Sequence, residues 1–398
     1  GAQAPSGSPQ PMPPQPGGIH LLQMKKGGIL AKLTVGVVFG GRSVEHEVSL
    51  VSAKSVISNT DKDKYEVFPI FIDKEGIWRR ASIDAWLGGG ELDVDTGAFL
   101  TPFLGSGVAL LYEIADGKPA AKHRIDVVFP VLHGTFGEDG TVQGLFELMG
   151  AAFVGAGVLG SSVGMDKIMM KAVLKDSGLP VPDFVGFYKH EWEADRNGVA
   201  ILTMNLLGMP CFVKAANLGS SVGVTKAKDG DELEKAIDYA CKFSNRIIVE
   251  KAVIKPREIE ISVLGNEEPV ASCAGEVIPH REFYDYKAKY LEVGTGLVAP
   301  AELGGELTAL LQDYAVRTFK ALDCSGLGRV DFLIEEGTGA IYISEINTIP
   351  GFTNISMYPR LWEESGLSFK DLVSRLIELA LERASSQKAF KTDFRDEI

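Results

Sequence analysis

Residues 125–134, IDVVFPVLHG, form a run that is apolar nearly throughout and ends in a histidine and a glycine. A strand with one wet face alternates polar and apolar side chains. A run this continuous therefore predicts a strand covered on both faces, as in a parallel sheet flanked by helices. KLTVGVVFGG at 32–41 has the same character, with β-branched residues followed by paired glycines that let the chain turn tightly. Helical spacing follows from Glu47 to Ser58, and YEVFPIFID at 65–73 reads as a second strand. Strand, glycine turn and helix alternate up to Val154, which predicts a parallel α/β first domain. A polar, glycine-rich stretch from about Ala81 to Lys122 interrupts the alternation and reads as an insertion.

Beyond Val154 the pattern changes. A helix near Lys167–Ser177 and an LPVP break lead to the strand MPCFVKAA, a Gly/Ser loop, a helix at Asp231–Phe243 and the strand RIIVEKAV. From Glu258 onward, EIEISVLG, PVASCAGEVI, GRVDFLIEE and AIYISEI read as antiparallel strands around a helix at Glu306–Leu322, and Ser368–Ala384 as an amphipathic helix. The expected division is a disordered leader or expression remnant at 1–32, domains at 33–155, 156–253 and 254–384, and a polar tail at 385–398. The leader is rich in Pro, Gly, Gln and Ser and has no apolar period to pack.

Composition narrows the class. Of 398 residues 45% are apolar, too many for a mostly disordered chain. The formal charge of −13 makes a surface that repels phosphate backbones, so nucleic acid is not an expected partner. No apolar run approaches the roughly 18–20 residues that span a bilayer, so no membrane partner is expected either. Cys211, Cys241, Cys273 and Cys324 lie far apart with no CxxC pair, which favours reduced thiols in a cytosolic compartment over a disulfide framework.

Five segments carry chemistry. In Lys214–Gly223 a strand delivers a lysine to a loop of glycines and hydroxyls, which can cover nucleotide phosphates while the lysine neutralises charge; the P-loop spacing is absent, and an ordinary mobile turn is the alternative. Arg329 and Asp331 share one strand face, as do Glu345 and Asn347, giving two carboxylates and an amide oxygen suited to Mg²⁺ with an arginine beside them. Otherwise this is an exposed face of alternating charge. Gly40–Ser49 places Ser43 and Glu45 at a helix start, where a carboxylate can receive an ammonium group or the serine can form a capping box. His133–Gly140 follows a buried strand at its carboxyl end, the usual edge for α/β ligand sites, although a histidine there can also be structural. Glu282–Tyr290 mixes aromatic and charged residues without a period and reads as a loop, a lid over a closed site.

Taken in this order, GGRSVEHEVSL, LHGTFGEDGT-QG, MDK, GSSVG, FYDYKAKY, GRVDF and EINTIPGFT-ISMYP resemble the D-alanine–D-alanine ligases of the ATP-grasp superfamily, from about Leu33 to Arg383. The resemblance implies an α/β fold, α+β in its C-terminal part, in which two antiparallel sheets enclose ATP. It implies transfer of the γ-phosphoryl group to one D-alanine and attack by the amine of a second, for peptidoglycan precursor synthesis in the cytoplasm. Carried over by position, Lys167, Lys214 and Ser221 contact phosphates. Glu250, Lys251, Val253 and Phe283 hold the adenine side, and Glu258 holds the ribose. Asp331, Glu345 and Asn347 bind Mg²⁺ or Mn²⁺, two ions in all. Glu45 takes the first ammonium, tied to Ser220 and Tyr290; His133 lies at the substrate site; Arg329 and Gly351 form the oxyanion hole. Lys289 reaches the transferred phosphoryl group, and Ser356 and Met357 take the second carboxylate. A homodimer is implied as well. The chain departs from the family in having Ala215 after the phosphate lysine, where many members have Pro, and in its insertion near 88–117. It keeps Tyr284 to Tyr290, which implies an amine nucleophile and D-alanine at both subsites. Another ATP-grasp carboxylate–amine ligase would share Lys214, Asp331, Glu345 and Asn347 but not Glu45, His133 or Tyr290. A non-catalytic nucleotide-binding module predicts erosion of the metal triplet or of Arg329, and all four residues are present.

Overall fold

A computed structural model describes residues 25–26, 29–105, 107–219, 223–278 and 296–390. The two-residue strands β1 (Lys25–Lys26) and β2 (Ile29–Leu30) pair ahead of the first large sheet. That sheet uses β3 (Leu33–Gly40), α1 (His46–Asn59), β4 (Tyr65–Ile72), β5 (Trp78–Ser82), a short α2 (Asp84–Leu87) and β6 (Asp93–Val94). After the three strands of the insertion come β10 (Val127–Val131), α3 (Thr141–Met149) and β11 (Ala152–Phe153). The strand order is β11-β10-β3-β4-β5-β6. The β11, β10, β3 and β4 strands run parallel as the apolar runs predict, and Val35, Val37, Phe129 and Val131 are all buried.

Two findings correct the expectations for this region. The sheet is mixed, because β5 and β6 add an antiparallel edge. The connection into β5 is a tight turn in which Asp73 Oδ1 accepts the N–H groups of Glu75 and Ile77, and a tight turn can only reverse the chain. The glycine-rich stretch is largely strand. β7 (Ala98–Phe103), β8 (Ala109–Ala115) and β9 (Lys118–Ile125) form a three-stranded antiparallel meander that buries Leu100, Leu111 and Ile125. Its second turn is Asp116-Gly117, both in the left-handed region at φ +50 and +70, the hairpin chemistry of an Asp-Gly pair. Much of the glycine there lies in turns, where it hides the strand alternation between them.

The next segment holds α4 (Val158–Met165), α5 (Lys167–Asp176), β12 (Phe184–Tyr188), α6 (Lys189–Ala194), α7 (Arg196–Leu207), β13 (Cys211–Ala215), β14 (Thr225–Ala227), α8 (Gly230–Ala240) and β15 (Arg246–Lys251). Its strands form an antiparallel sheet in the order β12-β15-β13-β14. The final segment holds β16 (Pro256–Gly265), β17 (Val270–Ile278), β18 (Gly296–Val298), α9 (Gly305–Ala321), β19 (Gly326–Glu335), β20 (Ile341–Asn347), α10 (Met357–Glu364) and α11 (Phe369–Lys388), with antiparallel order β18-β17-β16-β19-β20. The α11 helix shares its core with the first sheet: Leu372, Val373, Leu376 and Ile377 pack with Val35, Val37 and Phe129. From that helix Arg383 donates to the carbonyls of Phe153 (3.0 Å) and Gly155 and lies 4.3 Å above the Phe153 ring. No helix among the described residues is long and apolar enough to cross a membrane.

Candidate active site

The site is built where the three segments meet, and its first corner lies at the carboxyl edge of the first sheet. β3 ends at Gly40, and Glu45 occupies the N-cap position of α1 without a side-chain capping bond. Ser43 Oγ instead accepts the Glu45 N–H at 3.1 Å, so the capping-box alternative is not formed. Glu45 is buried at 6% exposure. Gly134, at φ +73, lies against its carboxylate so closely that any side chain there would collide with Oε2. A Cβ on Gly219 would lie 3.2 Å from the same oxygen, so the loop after Lys214 also closes on Glu45.

His133 is tied to two other elements. Nδ1 lies 3.0 Å from the Ile349 carbonyl and Nε2 lies 3.0 Å from Ser52 Oγ, which accepts the Phe352 N–H at 3.2 Å. Burial draws the imidazole below its usual range, so it is neutral near pH 7. Assigned from this network, the proton sits on Nδ1 and Nε2 accepts from Ser52. Both nitrogens thus join the end of β10 to α1 and to the turn after β20.

Glu138, four residues past Gly134, carries no spacing in the sequence that marks it apart from the rest of His133–Gly140. Its Oε1 accepts the Gly134 N–H at 2.9 Å. Burial, reinforced by the Glu45 carboxylate, pushes its pKa up to about 8.

The second corner is a cleft between the two antiparallel sheets. Lys214 Nζ on β13 lies 2.7 Å from Glu250 Oε2 on β15. The other oxygen of Glu250 lies 3.3 Å from Lys171 Nζ, a fully buried lysine that also donates to the Ser344 carbonyl at 2.9 Å. Burial raises the Glu250 pKa, but Lys171 and Lys214 outweigh it and hold it at about 2. Lys167 opens α5 behind Asp166, whose side chain accepts from the N–H groups of Ile168 and Met169. Its Nζ reaches the Leu218 carbonyl at 3.0 Å and Glu345 Oε2 at 3.4 Å. On the rim, Lys251 is exposed and Val253 half-buried, while Glu258 lies on β16.

The third corner is the face of the last sheet. Register places Glu260, Asp331 and Glu345 opposite one another on β16, β19 and β20, with Arg329 opposite Asn347. Arg329 grips Asp331 through two bonds of 2.7 Å, and its Nε lies 3.0 Å from Glu260. Asn347 Nδ2 donates to Asp331 Oδ2 at 3.0 Å. After β20, a Cβ on Gly351 would lie 2.8 Å from Ser356 Oγ, which accepts the Thr353 N–H at 3.0 Å. The Met357 side chain is buried against Gly275. Ser220, Ser221, Phe283, Lys289 and Tyr290 lie outside the described residues.

The structure thus links Glu45, Lys167, Lys214, Glu250, Arg329, Asp331, Glu345 and Asn347 by neighbouring contacts and adds Lys171, Glu260 and Glu138. Two of these had a local signal. Lys171 falls one helical turn after Lys167, and Glu260 falls on the strand face of Glu258.

The sequence profile of the D-ala D-ala ligase N-terminus matches residues 34–156, and that of the D-ala D-ala ligase C-terminus matches residues 173–378. The chain belongs to the D-alanine–D-alanine ligase family. Among curated D-alanine–D-alanine ligases it is similar to that of Acetivibrio thermocellus, 47% identical over 365 residues covering 88% of this chain and 96% of the relative. Similarity to that of Ruminiclostridium cellulolyticum is 48% over 366 residues, covering 89% and 96%. Among solved structures it resembles the D-alanine–D-alanine ligase of Coxiella burnetii, with TM-score 0.73, 36% identity, and coverage of 90% of this chain and 96% of that one. It also resembles the VanG D-Ala:D-Ser ligase of Enterococcus faecalis, with TM-score 0.77, 35% identity, and coverage of 88% and 100%. Membership of the D-alanine–D-alanine ligase family agrees with the mixed first sheet and the two antiparallel sheets that follow it.

Proposed function

We propose that the protein joins two D-alanine molecules at the expense of ATP, supplying D-alanyl-D-alanine for peptidoglycan precursors. A free carboxylate and an amine do not condense in water at a useful rate. Transfer of the γ-phosphoryl group to the first D-alanine carboxylate makes an acylphosphate and ADP; the amine of the second D-alanine attacks the acyl carbon and loses a proton, and the acyl C–O bond breaks so that its oxygen leaves on inorganic phosphate.

The observation that carries this reading is the junction itself. The loop after Lys214 touches Glu45 through Gly219, while Lys167 runs from Leu218 of that loop to Glu345. A carboxylate for an ammonium group, lysines for phosphates and oxygen donors for a cation are therefore linked through neighbouring contacts. In this reading Glu45 receives the first ammonium and Lys167 and Lys214 receive phosphates. Glu250, Lys251 and Val253 flank the base, and Glu258 the ribose. Arg329 and the Gly351 N–H face the oxyanion, while Ser356 and the Met357 backbone face the second carboxylate. His133 holds the substrate corner in place.

Asp331, Glu345 and Asn347 are the proposed ligands for Mg²⁺ or Mn²⁺, two ions in all, which would neutralise phosphate oxygens. Among the described residues no group of three or more His, Cys, Asp or Glu side chains could hold a metal ion by itself. Two carboxylates and an amide oxygen on paired strands suit Mg²⁺, which is usually held by one or two carboxylates together with substrate phosphates and water. A homodimer in the cytoplasm completes the proposal.

The test is to incubate the protein with ATP, Mg²⁺ and D-alanine and follow phosphate release and dipeptide together. Equal amounts of both are expected, with D-serine and D-lactate poor as second substrates. Phosphate release without dipeptide would overturn the reading, and efficient D-serine incorporation would reassign the second subsite.

A further inference from the structure

We propose that Lys171 is a positioning residue whose ammonium group balances Glu250, leaving the charge of Lys214 for the nucleotide, and fastens that pair to the strand that carries Glu345. The inference rests on the ATP-cleft reading above and extends it to a side chain that reading does not use. Lys171 lies on α5 one turn past Lys167 and is 0% exposed. Its Nζ lies 3.3 Å from Glu250 Oε1, 2.9 Å from the Ser344 carbonyl and 3.5 Å from that of Ile343. Glu250 belongs to the sheet that delivers Lys214, whereas Ser344 belongs to the opposite sheet and directly precedes Glu345. One buried ammonium therefore spans both walls of the cleft.

Charge makes this more than a structural tie. Glu250 carries one negative charge and touches two lysines, so Lys171, Glu250 and Lys214 together hold a net single positive charge. Lys171 is sealed from solvent and cannot reach a ligand, whereas Lys214 retains 17% side-chain exposure. Without Lys171, Glu250 would neutralise Lys214 directly, and the cleft would meet an anionic nucleotide with no net charge from this group. A buried ammonium is also tolerated only when its donors are satisfied, which holds Ser344 and the neighbouring Glu345 at fixed reach.

The experiment compares Lys171→Gln, which removes the charge but keeps a hydrogen-bond donor, with Lys171→Arg, which keeps the charge. In folded Lys171→Gln the KM for ATP should rise about tenfold, as expected for one lost charge near a polyphosphate, while the KM for the first D-alanine stays within about twofold. Lys171→Arg should recover the ATP KM to within about threefold of the unmodified protein. Calorimetric binding of ADP should follow the same order. An unchanged ATP KM in Lys171→Gln, or equal rises for ATP and D-alanine, would overturn the inference. If the Gln variant does not fold, a folded Arg variant with ATP KM raised tenfold would overturn it, and one within threefold would support it. Absence of ATP-dependent dipeptide from the unmodified protein would instead count against the functional reading, so the two failures are distinguishable.

Discussion

Glu250 lies between Lys171 at 3.3 Å and Lys214 at 2.7 Å, in the cleft between the two antiparallel sheets. Glu138, at the edge of the first sheet, is also largely withdrawn from water but lies near another carboxylate, Glu45, and accepts the Gly134 N–H. The first is held ionised with a pKa of about 2 and the second protonated with a pKa of about 8. Burial acts on both in the same direction, so the neighbours decide the charge state. The consequence is local. The Lys171–Glu250–Lys214 group keeps one positive charge for phosphates, while at the edge of the first sheet Glu138 adds no negative charge beside Glu45.

Removing one partner from each region should separate them most sharply. Glu250→Gln strands Lys171 in the interior without a counter-charge, and a loss of about 3–5 kcal/mol in urea unfolding is expected. A loss under about 1 kcal/mol would mean that the lysines do not depend on that carboxylate. The pH dependence comes next. Glu250 has a lowered pKa, so its contribution is present above the ordinary value of 4.5 and is lost as pH falls towards about 2. Glu138 has a raised pKa, so its contribution is full below 4.5 and is lost as pH rises through about 8. Glu138→Gln, which imitates the protonated acid, should therefore flatten the decline in melting temperature between pH 5 and 8 and leave the acid limb unchanged. A parallel profile would show that Glu138 is ionised throughout.

Smaller effects test the joints of the Glu45 corner. Ser52→Ala removes the hydroxyl shared by His133 Nε2 and the Phe352 N–H, both buried, and should cost about 1–3 kcal/mol in thermal or urea unfolding. Ser43→Ala removes only the turn bond to the Glu45 N–H and should stay within about 0.5 kcal/mol by the same measurement. If Ser43→Ala proved the costlier of the two, the loop before α1 rather than the His133 tie would be what holds this corner together.

How much of this was readable before the structure follows from the range of each interaction. Strand period alone placed Arg329 with Asp331 and Glu345 with Asn347, and the observed register brings the two pairs side by side. The buried parallel strands were equally plain, because coverage on both faces leaves a continuous apolar run. The α6–α7 pair was not anticipated: Ile201, Leu202 and Leu206 are exposed on α7, which blurs its amphipathic period. Glu138 is legible only as part of a motif, since its charge state comes from burial in the folded chain, reinforced by Glu45. Lys171 carries no local mark beyond its spacing from Lys167, because its carbonyl partner lies 173 residues away.

The packing of α11 on the first sheet has a consequence for how the chain is made. On the ribosome, β3 and β10 emerge long before Leu372, Val373, Leu376 and Ile377, the residues that cover them. At elongation rates of about 5–20 residues per second, that apolar face waits roughly tens of seconds for its cover. The nascent first domain therefore exposes this apolar face until α11 is made, and a truncation before Phe369 should aggregate more readily than the full chain.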